Sequence, residues 1–67
     1  MDWKEALIAL DEGATVKLPD KPSGIRIEMG TFVEVWESGV ERVMNADVAP
    51  LFKKRDDWEV ASWNLAE

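Results

Sequence analysis

The chain has 67 residues, and its 14 acidic and 8 basic side chains give a formal net charge of −6 at neutral pH. It contains no cysteine and no histidine, which excludes disulfides, the usual zinc sites and Cys-His or Ser-His-Asp catalysis. The negative charge disfavours direct binding to nucleic acid or anionic membranes.

No apolar run reaches the length of about 18 residues that a membrane span needs, and the chain opens with an acidic helical pattern instead of a basic leader. We therefore expect a single domain over residues 1–67, soluble and located in the cytoplasm. A core of this size is small, so large side chains or oligomerisation must supply the missing burial.

The first residues predict a capped helix. Asp2 is placed to accept from the first turn, and Glu5 stands where a capping box needs it. Gly13 suits a left-handed helix stop, so we expect a helix from about residue 3 to about residue 12. Its apolar stripe, which should face the sheet, consists of Trp3, Ala6, Leu7 and Leu10.

The rest of the chain reads as short strands joined by turns. The predicted strands are residues 15–18, 25–29, 31–37, 40–44 and 57–62, and the last should carry Trp58 and Val60 on one face. Residues 19–24 form a loop with two prolines, and residues 45–52 form a loop or a single helical turn. The predicted fold is α+β: one N-terminal amphipathic helix packed on a small, mostly antiparallel β-sheet of four to five strands.

Ser38 and Gly39 predict a two-residue hairpin turn. In that register Val35 faces Arg42, and the helix lies over a face that carries Val33, Val35, Val40 and Met44. The other face then exposes Phe32, Trp36 and Val43, through which we expect self-association to a homo-oligomer. The alternatives are a longer turn that shifts the register, or cover from the C-terminal tail.

Four tryptophans, at positions 3, 36, 58 and 63, are many for this length. Each can bury about 200 Å², and we expect three in the core and at least one in an interface. Tryptophan also stacks well on purine rings, which makes Trp36 and Trp58 candidate ligand-binding residues.

The candidate phosphate-binding cations are Arg26 and Arg42 on strands and the run Lys53, Lys54 and Arg55. The alternative for the run is a solvated loop in which neighbouring carboxylates pair with the cations. Asp57, beside this run, completes the candidate ligand-binding set.

No motif for a metal, a cofactor or a nucleotide loop is present, and Glu34, Glu37 and Glu41 lie on a short hairpin without an enclosed catalytic cleft. We therefore predict no enzymatic activity, no cofactor and no metal.

The opening helix and the closing Asp-Trp-Glu-Val sequence resemble the small phage proteins of the Thoeris anti-defence type 2 family. Members typically open with Met, a small polar residue, an aromatic, Glu-Ala-Leu, a further leucine, Gly and Val, and they close with Leu and Asp-Trp-x-Val. This chain matches at Asp2, Trp3, Glu5, Ala6, Leu7, Leu10, Gly13, Val16, Leu51 and residues 57–60. The Trp-Asn-Gly segment that helps to build the family's ligand site is replaced here by residues 18–24.

The resemblance implies a non-enzymatic oligomer that sequesters a cyclic nucleotide made by a bacterial immune system. At least one member of the family is instead linked to blocking a CRISPR effector. The alternative function is therefore an acidic inhibitor that binds a host or defence protein through an apolar sheet face.

Overall fold

In the computed structural model, which describes residues 1–62, the opening helix α1 spans Trp3–Asp11. The predicted capping box is present: the Glu5 amide donates to the Asp2 carboxylate at 2.9 Å, and the Asp2 amide donates to the Glu5 carboxylate at 3.0 Å. Gly13 follows the helix with a φ of 94°, a conformation that favours glycine. The predicted helix and both of its end signals are confirmed.

Five antiparallel strands make one sheet in the order β4-β3-β2-β1-β5. Their bounds are Val16–Lys17 for β1, Ser23–Glu28 for β2, Thr31–Trp36 for β3, Glu41–Val43 for β4 and Glu59–Val60 for β5. The single helical turn expected before β5 is α2, Pro50–Lys53, with its proline in the first turn, where a missing amide costs nothing. The α+β fold is therefore confirmed.

One face of the sheet, the helix-side face, packs against α1. The buried cluster there consists of Ala6, Leu10, Val16, Leu18, Ile25, Val48 and Trp58. The Trp3 ring lies 5.0 Å from the Trp58 ring and 6.5 Å from the Phe32 ring, measured between centroids. The aromatic side chains at the two ends of the described chain thus close the core over β2 and β3.

Leu7 does not belong to this core, contrary to our expectation, because its side chain is 39% exposed. The buried stripe of α1 runs through Ala6 and Leu10. Since successive helical residues are rotated by about 100°, the residue after Ala6 lies at the side of the helix.

The turn between β3 and β4 has three residues, and the predicted two-residue turn is wrong. The Trp36 amide donates to the Val40 carbonyl at 2.9 Å, and the Gly39 amide donates to the Trp36 carbonyl at 2.9 Å. Gly39 has a φ of 96°, which is typical of a hairpin loop that ends in a left-handed residue. The alternative of a longer turn is confirmed; the other alternative, cover from the C-terminal tail, concerns residues that lie outside the described ones.

This register moves the side chains of β4 to the opposite face relative to β3, because a shift of one residue inverts the alternation. Val33 now lies opposite Val43, and Val35 lies opposite Glu41. These four residues share the outer face, on the side of the sheet away from α1. The prediction that Val33 and Val35 lie under the helix is wrong for a separate reason, which is the pairing of β3 with β2: Glu34 lies opposite Ile25 in the core under α1, so the valines on either side of it point away from the helix.

The same shift divides the predicted self-association surface. Phe32 is half-buried and packs on the helix-side core, and Trp36 shares that parity on β3. Val43 is 60% exposed on the outer face. The three residues do not form one surface; self-association itself stays a prediction.

Val60 lies opposite Val16, so it shares the helix-side face with Trp58, as predicted. It is 54% exposed, whereas Trp58 is 5% exposed. Trp58 precedes β5 and turns into the core, while Val60 lies on a two-residue strand at the edge of the sheet, where one flank has no neighbour.

Charged side chains form an ion pair across the outer face. Arg26 lies opposite Val33 on one flank of β3, and Glu41 lies opposite Val35 on the other. The Arg26 guanidinium reaches Glu41 at 2.8 Å, so this ion pair crosses β3. The apolar stem of the arginine helps to exclude water there, and Val33 and Val35 are buried.

Candidate functional site

A cleft of about 360 Å³ opens on the helix-side face, between β2 and β3 below and the chain leading into α2 above. Its apolar walls are Leu18, Ile25, Met44, Val48, Phe52 and Trp58, and its polar side chains are Lys21, Ser23, Glu34 and Asp47. An apolar cleft of this size with a few convergent polar groups is typical of small-molecule sites.

Glu34 is the central polar residue of the cleft. It occupies the helix-side parity of β3, between Phe32 and Trp36, and its side chain is 22% exposed. The Ser23 hydroxyl donates to one carboxylate oxygen at 2.8 Å, and Arg42 donates to the other at 2.8 Å. Two strands therefore fix the orientation of this carboxylate.

The far end of the cleft also carries charge. Asp47 accepts from the Val48 amide at 2.7 Å and from the Lys53 ammonium at 2.5 Å. The hydrogen bond from Lys53 holds the pKa of Asp47 below its usual value. Lys21 lies with its ammonium 4.9 Å from the centre of the Phe52 ring, in cation–π range.

Trp58 lines the cleft as part of the core. Its indole nitrogen donates to the Phe52 carbonyl at 3.1 Å, which satisfies its polar atom, and the Trp3 ring packs on it. Trp36 is half-buried at the end of β3 and does not line the cleft. Trp63, the fourth tryptophan, lies outside the described residues.

Arg55 joins two segments distant in sequence. It donates to both oxygens of Asp57, with the Nε bond at 2.9 Å, and to Asp20 at 3.1 Å. These bonds, with Asp57 contributing most, raise the pKa of Arg55, and the same bonds lower the pKa of Asp57 and of Asp20. Arg55 thus ties the loop next to Lys21 to the chain that enters β5.

The predicted cations are therefore not gathered into one basic subsite. Arg26 lies on the outer face with Glu41 and Glu28, at 2.8 Å and 3.2 Å; its pKa is raised chiefly by the hydrogen bond to Glu41. Lys54 is exposed. Arg42 donates a hydrogen bond to Glu34, and Lys53 donates one to Asp47. Both carboxylates line the cleft.

Sequence reasoning missed Lys21, Asp47 and Phe52, and it assigned Glu34 to a hairpin without a cleft. A signal for Glu34 was present: in β3 it stands between Phe32 and Trp36 at period two, where an apolar residue is expected. The walls of the cleft come from loops whose positions no local pattern specifies.

Within residues 1–62, no group of three or more acidic, histidine or cysteine side chains is arranged to hold a metal ion. None of the helices in that part of the chain has the length and apolar character to cross a membrane. No protein-family model matches this chain, and comparisons with curated proteins and with solved structures give no match.

Proposed function

We propose that this protein captures a cyclic nucleotide signal of a bacterial immune system without transforming it, as a phage or prophage anti-defence protein. The observation that carries the proposal is the cleft of about 360 Å³ with aromatic and aliphatic walls. A nucleobase fits such a site because its ring is flat and apolar on its faces, and its edge carries hydrogen-bonding groups. The resemblance at the two ends of the chain supplies the class of ligand.

The acidity of the cleft supports a binding mode in which the phosphates stay outside it. Glu34 and Asp47 both line it, and a phosphate beside either carboxylate is repelled. The cations at its border are Lys21, which lines the cleft, and Arg42, which is hydrogen-bonded to Glu34. The base therefore enters the cleft, and the phosphates remain at its rim.

The direct test is calorimetry with cyclic ADP-ribose isomers and cyclic dinucleotides. Ala49 lines the cleft and is exposed, so Ala49→Trp fills the site without opening the core. Ala46→Trp, at an exposed position that does not line the cleft, is the matched control. We expect binding by the wild type and the control and its loss in Ala49→Trp; no binding up to about 1 mM, equivalent to about −4 kcal/mol, contradicts the proposal.

A second function, inhibition of a basic defence protein, is favoured by the hairpin between β2 and β3. Met29 is fully exposed at its tip with a φ of 52°, followed by Gly30 at 79°. This turn favours asparagine or glycine at the Met29 position, and the side chain gains nothing there from burial within its own chain. A protruding methionine on a molecule of net charge −6 suits an apolar pocket with a basic rim.

One assay separates the two functions. In bacteria that carry the matching immune system, the nucleotide proposal predicts that Ala49→Trp abolishes protection of the phage and that Met29→Asn preserves it. Inhibition of a protein predicts the reverse, together with slower association at higher salt or when Glu37 and Glu41 are neutralised.

A further inference from the structure

We infer that Glu34 and Arg42 form one recognition unit: Glu34 accepts hydrogen bonds from the N–H edge of the ligand's base, and Arg42 holds a phosphate of the same nucleotide. The inference rests on the proposed function, and it names the ligand class as a nucleobase that presents ring or exocyclic N–H donors. It also assigns Arg42 as the cation of the phosphate subsite.

The first step concerns the free acceptor sites on Glu34. An ionised carboxylate has about four lone-pair sites, and the hydrogen bonds from Ser23 and Arg42 take one on each oxygen. Each oxygen therefore keeps capacity for a further donor. Because a carboxylate only accepts, it selects a ligand edge that donates and repels one that presents oxygen or phosphate.

The second step is that the orientation of Glu34 is fixed before a ligand arrives. Its partners come from the two strands that flank β3, with Ser23 on β2 and Arg42 on β4. A polar group held in this way loses little side-chain entropy when it binds. A mobile surface glutamate gives neither this precision nor the apolar walls that strengthen the interaction.

The third step singles out Arg42 among the strand and loop arginines. Arg26 is bonded to two carboxylates with its side chain 21% exposed, and Arg55 is bonded to two with its side chain 30% exposed. Arg42 pairs with one carboxylate among the described residues, through one nitrogen, and its side chain is 72% exposed. A guanidinium has five N–H donors, so Arg42 can hold Glu34 and still meet a phosphate.

The two roles explain how an acidic cleft takes an anionic ligand. Glu34 faces the base and keeps the phosphates away from the cleft, while the arginine that neutralises Glu34 lies at the rim, where the phosphates arrive. Arg42 is thus a counter-ion to both groups, at the boundary between them.

The experiment measures dissociation constants for cyclic ADP-ribose, cyclic di-AMP and cyclic di-GMP at two salt concentrations. Glu34→Gln should weaken the best of these ligands by about tenfold or more, as expected for a hydrogen bond to a charged group. Arg42→Gln should weaken it comparably and also reduce the salt dependence, because a phosphate contact is lost. Arg26→Gln, on the outer face, is the matched control and should change the constant by less than about twofold.

Thermal melts of each variant verify folding. If Glu34→Gln does not fold, Glu34→Asp replaces it, because the shorter side chain keeps the negative charge but moves it away from the ligand. Binding that Ala49→Trp abolishes but neither Glu34→Gln nor Arg42→Gln weakens overturns the inference and leaves the proposed function standing. Absence of binding by the wild type overturns both.

Discussion

The two faces of the sheet use the same three strands and similar charged residues, but the cleft described above opens on the helix-side face. On the outer face, Arg26 on β2 reaches Glu41 on β4 and covers the small valines of β3. On the helix-side face, Arg42 pairs with Glu34 on the adjacent strand. On the outer face the ion pair crosses β3, whereas on the helix-side face it joins neighbouring strands and the space beside it is walled by loops.

The largest expected effect concerns α1, the helix that packs on the sheet. Leu10 is 2% exposed in the core, and we expect Leu10→Ala to lower the free energy of unfolding by about 2–5 kcal/mol. Leu7→Ala, the matched control at a 39% exposed position, should cost less than about 1 kcal/mol. Urea denaturation followed by circular dichroism measures both values, and equal losses would show that the stripe of α1 is misplaced.

The next prediction concerns the close approach of β1 to β2. A Cβ at Gly24 would lie 2.8 Å from the Val16 carbonyl oxygen, and a backbone atom there cannot move aside without distorting the strand pair. We expect Gly24→Ala to cost about 1–3 kcal/mol, which the same denaturation experiment measures. A variant as stable as the wild type means that the strands lie farther apart.

A smaller difference separates the two arginines. Arg26→Gln removes a half-buried ion pair and the apolar stem over β3, so we expect a loss of about 1 kcal/mol in unfolding free energy. Arg42→Gln removes a single ion pair in which the arginine is 72% exposed, and it should cost less than about 0.5 kcal/mol. If Arg42→Gln is the more destabilising of the two, Arg42 is a structural residue rather than one available to a ligand.

The smallest effect is on acid stability. Hydrogen bonds from Arg55 depress the pKa values of Asp20 and Asp57 in the folded state. A depressed folded-state pKa stabilises the protein at pH values above the unfolded value of about 3.9, and this contribution is lost as the pH falls through the folded-state pKa values. The urea midpoint should therefore decline below about pH 4, and Arg55→Gln should flatten that decline; an unchanged slope would contradict the role of these bonds.

Local signals predicted α1, its capping box, its glycine stop and the existence of all five strands, because each depends on residues close in sequence. The phase of Leu7 and the β3–β4 register could not be fixed in this way. The first depends on how the helix lies on the sheet. The second depends on whether Glu37 joins the turn, which a Ser-Gly pair does not decide.

The candidate site was predicted only in part, for a related reason. Trp58 does line the cleft and Arg42 does stand beside it, but the ion pairs that engage the other cations were not visible as a pattern. Arg55 and Asp20 are 35 residues apart, and only the folded chain brings them together. A basic run in a sequence therefore shows which cations are available to a ligand only once the carboxylates that pair with them are known.

The central claim is that the helix-side cleft, and not the outer face, is the ligand site. The most direct measurement is a ¹⁵N–¹H NMR titration with cyclic ADP-ribose and cyclic dinucleotides. We predict shifts for the Trp58 indole N–H and the backbone amides of Ser23, Glu34 and Ala49, which line the cleft, with Val33 and Val43 unchanged. Shifts confined to the outer face or to the Met29 turn, or no shifts at all, would contradict this account.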